Sequence, residues 1–310
     1  MRLPRRSSNS GQATVLTIVF MTVLLGMCCA VLDVGHWYHE KRKLQATVDA
    51  AALAGAQALP ENTGQAKANA LAYASKNGGG VTGGDVTFST TYLANDTIRV
   101  TGQKNAPGLF SSIFGFGTVT VHASAKARTG ATGSPLYAAP IVVNIKHPML
   151  QCTPPPCTGA TQIDLDNLHN PGSGTAAGAF GLINLNKNAK DGNAGANEVA
   201  SWMEKGFQSY MNVGKYYQVP SSEFNNSQFK SALQLRLNTE VLFPIYKTLT
   251  GSGSNAQYDI VGWVGFVPTK FVANGSSGTV YGSFKRVIWS GVPLSNGSPG
   301  FGAYSIQLVE

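Results

Sequence analysis

Residues 13–32, ATVLTIVFMTVLLGMCCAVL, carry no charged side chain. As a single helix they rise about 30 Å, the thickness of a bilayer's hydrocarbon core. The most polar residues in the run are Thr14, Thr17 and Thr22, and a helical threonine can donate its hydroxyl to a carbonyl four residues back. A run of this kind is either a transmembrane helix or a cleaved signal. Arg2, Arg5 and Arg6 before it suit both, and Cys28-Cys29-Ala30 loosely resembles a small-residue cleavage site. Beyond Ala30 the helix-forming pattern continues from Val31 to Leu59 without a proline. That continuation favours a span, read as 13–34 behind a tail at 1–12.

Charge points the same way. Only 12% of the 310 residues are charged, against a usual level of about 25%. Arg2, Arg5, Arg6, Lys41, Arg42 and Lys43, set against Asp33 and Glu40, supply half of the net charge of +8. The rest is dispersed. Basic clusters flanking an apolar run fit a membrane. A nucleic-acid partner is not expected, because phosphate binding needs clustered Lys and Arg in the bulk of the chain. The positive-inside count is nearly balanced. A short tail stays inside more easily than a long domain, so the N-terminus is expected in the cytoplasm and the C-terminal bulk outside.

Past the span, His36, Trp37, Tyr38 and His39 occupy the outer boundary, where Trp and Tyr suit the headgroup region. The boundary set is Asp33, Trp37, Tyr38, Lys41, Arg42 and Lys43. Asp33 is costly in hydrocarbon and so a functional candidate, unless it reaches water at the end of the span. His36 and His39 lack further metal ligands nearby. Leu44, Val48, Ala51, Ala52, Gly55 and Leu59 recur at spacings of three and four, forming one helix face. Small residues there permit close approach. The face either covers its own domain's sheet or packs against neighbouring subunits. Pro60 and Asn62 end the helix.

The ordered series Gly11-Gln12, the span, Leu32-Asp33-Val34-Gly35, Trp37-Tyr38, Lys41-Arg42-Lys43, Leu44-Gln45 and Asp49-Ala50-Ala51-Ala52-Leu53-Ala54 resembles the start of Tad-type (Flp) pilus-assembly TadE/TadG-like proteins. The resemblance covers about 50 residues. It implies a single-pass protein of the bacterial cytoplasmic membrane that works with pilus-assembly or pseudopilin-like partners, without catalysis. Two departures limit it. Five residues after Gly11 stands Leu16, where processed pilins carry Glu, and no D-x-S-x-S metal motif of a von Willebrand type A domain occurs.

The remaining sequence predicts an α+β protein. A second Ala-rich helix at 64–76 precedes strands at 86–93, 97–104 and 118–127, with a turn at Asn95-Asp96 and a short helical piece at LFSSIFG. A long helix on an antiparallel sheet is the general pilin-like plan, assigned here to 35–128. TGATGSP reads as a linker at 129–136. A second α+β domain, rich in antiparallel strands, is expected over 137–310: strands at 141–145, 258–272, 279–288 and 304–309, and helices at 197–207 and 226–237.

Cys152 and Cys157 enclose three prolines and are read as a disulfide, natural outside the cytoplasm. Cys28 and Cys29 lie in the span as packing or acylation residues. No G-x-S-x-G, H-E-x-x-H or P-loop is present. Asp164-Leu165-Asp166 suits a solvated loop better than a calcium site, and GSGTAAGAFG (172–181) lacks the strand–loop–helix setting of a cofactor loop. No catalytic residue, metal or cofactor is assigned. The expected role is a membrane-anchored structural or accessory protein of a Tad-like pilus or secretion assembly. The rival readings are a membrane-anchored extracytoplasmic enzyme with an unrecognised site, and a cell-surface adhesin or binding module.

Overall fold

In a computed structural model of the chain, described for residues 10–115, 117–165, 180–186, 194–251, 255–274, 277–294 and 300–309, one helix dominates. This helix, α1 (Ser10–Ala56), runs through 47 residues without a break, roughly 70 Å at 1.5 Å per residue. Pro60 stops it as expected, but the last helical residue is Ala56, and Leu59 packs from the turn that follows. The second helix, α2 (Thr63–Lys76), starts under Asn62, whose side chain accepts from the Gln65 amide at 2.8 Å. Its Ala66, Ala70 and Ala74 are buried, so the two Ala-rich helices approach closely as a hairpin.

Both helices lie on the first sheet. It is formed by β1 (Val86–Ser89), β2 (Thr97–Pro107), β3 (Thr118–Pro135), β10 (Val287–Ile288), β11 (Gly291–Pro293) and β12 (Ala303–Leu308), in the order β1-β2-β3-β12-β10, with β11 also on β3. Leu44, Val48, Ala51, Ala52 and Leu59 are buried here with Ile98, Val100 and Ala125. Gly55 is needed at the crossing: a Cβ there would strike Ile98 and lie 3.2 Å from Ala70 Cβ.

The second sheet has the order β4-β7-β8-β9-β5, with β6 on β8. Its strands are β4 (Val143–Asn144), β5 (Thr161–Asp164), β6 (Gly214–Tyr217), β7 (Val241–Thr250), β8 (Gln257–Asn274) and β9 (Ser277–Lys285). Helices α3 (Ala196–Lys205), α4 (Ser222–Asn225) and α5 (Ser227–Leu235) accompany it, and α3 packs on α5. Its core is aromatic: Phe243 stacks on Phe266 at 5.3 Å, and Tyr246 meets Tyr258 edge-on at 4.9 Å. Burial pushes the Tyr246 phenol up to about 12 and raises Tyr258 further. These hydroxyls therefore stay neutral, one accepting from Asn144 and the other donating to the Phe180 carbonyl. The class is α+β, with antiparallel pairing throughout except for the short parallel pairs β4–β7 and β10–β12.

The linker assigned to 129–136 is not a linker. Thr129–Ser134 continue β3, paired with β12 through Ala131↔Tyr304 to Ala127↔Leu308 and with β11 through Pro135↔Gly291. Its glycines serve close packing rather than freedom. A Cβ at Gly133 would lie 2.8 Å from Leu294, and one at Gly130 would lie 3.1 Å from Pro293. The boundary at 137 is likewise not a clean division, because β10, β11 and β12 return from the second half to complete the first sheet. Arg286 fastens the two halves. It donates to the carbonyls of Gln57 and Leu59 at 3.1 and 2.7 Å, pairs with Glu61 at 2.9 Å and lies 4.7 Å from the Tyr304 ring centroid.

Candidate functional site

From Gly11 to Leu32 the residues of α1 are exposed, except Gly26 and Cys29, which are half-covered. Val15, Ile18, Phe20, Leu25 and Val31 are all exposed, Val31 at 71%. Thr17 and Thr22 donate their hydroxyls to the carbonyls of Ala13 and Ile18 at 2.9 and 2.8 Å. This surface is apolar and its polar groups are satisfied within the helix, as hydrocarbon requires. Among the described residues it is the one helix long and apolar enough to cross a membrane.

Asp33 ends this exposed stretch. Its side chain does not reach water; the residue is 2% exposed. The carboxylate accepts from three successive backbone amides of the β2–β3 connection: Leu109 at 2.6 Å, Phe110 at 3.0 and 3.2 Å, and Ser111 at 2.5 Å. These amides enter a one-turn 3-10 helix, Ser111–Phe114. Sequence reasoning singled out Asp33 but not its partner. The available signal was an apolar LFSSIF between Pro107-Gly108 and Gly115, where a hairpin tip is normally polar.

The other boundary residues divide. Trp37 is half-buried against the first core, so it faces the sheet rather than serving only as a headgroup anchor. Tyr38 is exposed, with the Arg42 guanidinium 5.9 Å from its ring centroid. Lys41 is exposed. Lys43 pairs with Glu40 at 2.8 Å, and Lys104 of β2 reaches the other Glu40 oxygen at 3.2 Å. These two ammonium groups hold the Glu40 carboxyl down at about 2. The Leu44–Leu59 face is filled from within by the sheet and α2, which leaves the lipid-length half of α1 as the helix surface open to other molecules.

Residues 11–58 match the family model described as "Putative Flp pilus-assembly TadE/G-like". The TadE/G-like segment begins one residue inside α1 and ends two residues beyond it. It therefore covers the apolar run, Asp33, the basic boundary and the buried Ala-rich face, and stops before the sheet. No curated protein and no solved structure matches the chain.

Away from the TadE/G-like segment, the structure joins Cys152 and Cys157 in a disulfide, while Cys28 and Cys29 are free. A largely apolar cavity of about 730 Å³ opens between the two sheets, lined by Ile260, Trp263, Leu294 and Phe301, with Asp259 at its wall. Among the described residues no three His, Cys, Asp or Glu gather to hold a metal. Of the Asp164-Leu165-Asp166 pair, Asp164 is hydrogen-bonded to Gln162 and Thr279, and Asp166 lies outside the described residues, as does most of GSGTAAGAFG.

Proposed function

We propose that the chain is a single-pass structural or accessory protein of a Tad-like (Flp) pilus or secretion assembly in a bacterial cytoplasmic membrane. Its N-terminus faces the cytoplasm, its bulk lies outside, and it performs no catalysis. One observation carries this reading: the 11–58 match coincides with an uninterrupted helix that is bare over its apolar half and packed over its Ala-rich half. A helix built in this way links a membrane position to the orientation of an outer domain, which suits a part of a larger assembly.

The test uses native membranes. After a carbonate wash the protein should stay in the pellet with its N-terminus intact, and cross-linking through the span should recover pilus-assembly proteins. A mature chain beginning at Val31 would refute the anchor. One beginning at Gln12 would instead show pilin-like processing. Retention in the membrane without any assembly protein recovered would remove the pilus role and leave only the anchor.

A further inference from the structure

We propose that the β2–β3 tip around Leu109 and Phe110 is a second membrane contact, inserted among the outer-leaflet lipids beside α1 and held at that depth by Asp33. The proposal rests on the single-pass reading above and adds a lipid-binding element to it.

Depth is the first argument. Asp33 lies in the last turn of the 13–34 span, and helical side chains lean toward the N-terminus. Its carboxylate therefore sits level with the turn before it, still within the apolar run. The amides it binds must be at that level too. Cys29, four residues before Asp33 and so on its face, is half-covered, while the space beside Gly26 one turn further down is open. The 3-10 turn rests on α1. The tip thus lies level with the last turn of the span instead of stopping above it.

Chemistry is the second argument. In hydrocarbon neither a carboxylate nor unpaired amides are tolerated. Here each solves the other's problem, as one carboxylate takes three N–H groups and is itself shut off from water. At the tip Leu109 is exposed and Phe110 half-buried, with the small Ser112 also exposed. Leu109 is 56% exposed and nothing in the described chain covers it. Its backbone is bound to Asp33 at the end of the bare stretch of the span, so the occupant that surrounds the span is the one that meets Leu109. That occupant is the bilayer.

The experiment uses full-length protein in nanodiscs, with Cys28→Ser and Cys29→Ser, and an environment-sensitive fluorophore on one introduced cysteine. Leu109→Cys reports the tip and Val19→Cys the span. Ala94→Cys reports the opposite end of β2, roughly 35 Å away along the strand. Lipids bearing a nitroxide on the acyl chain should quench the Leu109 probe comparably to the Val19 probe and leave the Ala94 probe nearly untouched; aqueous iodide should do the reverse. If Val19 is quenched and Leu109 behaves like Ala94, the tip proposal fails while the anchor stands. If Val19 is not quenched, the anchor fails and the tip proposal with it. A Leu109 probe protected from iodide yet unquenched by lipid would mean that protein, such as a second copy, covers the tip, and would also overturn the proposal. Adding Asp33→Ala should lose most of the lipid quenching at Leu109 and none at Val19. Unchanged quenching would overturn the role given to Asp33.

Discussion

The two ends of β2 use the same device in different places. At the outer end Asp96 accepts from the amides of Thr91, Tyr92 and Leu93 at 2.8 to 2.9 Å. At the inner end Asp33 accepts from Leu109, Phe110 and Ser111. Asp96 closes a loop that it belongs to, three to five residues away. Asp33 closes one 76 to 78 residues away in the chain. The local version builds a turn. The distant version fastens a sheet to a helix. Burial alone would push the Asp96 carboxyl up, but the three amides and the Thr97 hydroxyl outweigh it and hold it below the usual carboxylate range. Fully paired, a buried carboxylate can stay ionised.

The comparison breaks most readily at Asp33. Asp33→Ala leaves three amides without their acceptor, and if the site lies in lipid the tip must withdraw to water to satisfy them, since an unsatisfied group is costly there. We expect the largest loss of protection here, seen as much faster hydrogen exchange across 108–112 in a bilayer. A loss no greater than that of the Asp96 variant would show that the inner site is wet. Asp96→Ala should cost about 2 kcal/mol, because water can reach much of the 90–96 loop once it opens. Thermal melting measures it, and an unchanged midpoint would mean the loop holds without its carboxylate. On the buried helix face between the two ends, Ala51→Leu overfills the contact with the sheet. It should lower stability by roughly 1–3 kcal/mol; normal melting with lost partners would mean that the face opens in the assembly.

Glu40 gives the smallest effect and sharpens the contrast between amide and ammonium partners. Its folded pKa is depressed to about 2 from an ordinary 4.5. Its contribution is therefore complete above about 4.5 and disappears as the pH falls through about 2. Lys43 and Lys104 are 56% and 41% exposed, so screening keeps the term below about 1 kcal/mol. Melting followed from pH 5 to 2 should fall slightly less steeply for Glu40→Gln than for the parent chain. Identical slopes would show that the two lysines contribute nothing.

The contrast also explains what was legible in the sequence. Asn95-Asp96 could be read as a turn because every amide that the Asp96 carboxylate binds lies within a few residues. Asp33 could be marked only as expensive, since its partners depend on how β2 and β3 return to the helix. The same division runs through the fold. The helices, their small-residue face and the long strands follow from local periodicity. The path of β3 through TGATGSP does not, because those glycines and threonines look like a linker until Leu294 and Pro293 are seen packed against them. Arg286 was equally invisible, since its value lies in meeting the carbonyls of Gln57 and Leu59.

The return of β12 to β3 sets an order of events during synthesis. During synthesis α1, α2 and β1–β3 are made first, yet the edge of β3 from Ala127 to Ala131 stays unpaired until residues 303–308 arrive. An open edge is a template for wrong pairing, and closing it spans the entire second sheet, which slows the step. The membrane-proximal unit therefore becomes sound only after the distal one has been delivered. A prematurely terminated chain would keep its long helix but display a raw strand edge, which marks an unfinished copy apart from a finished one.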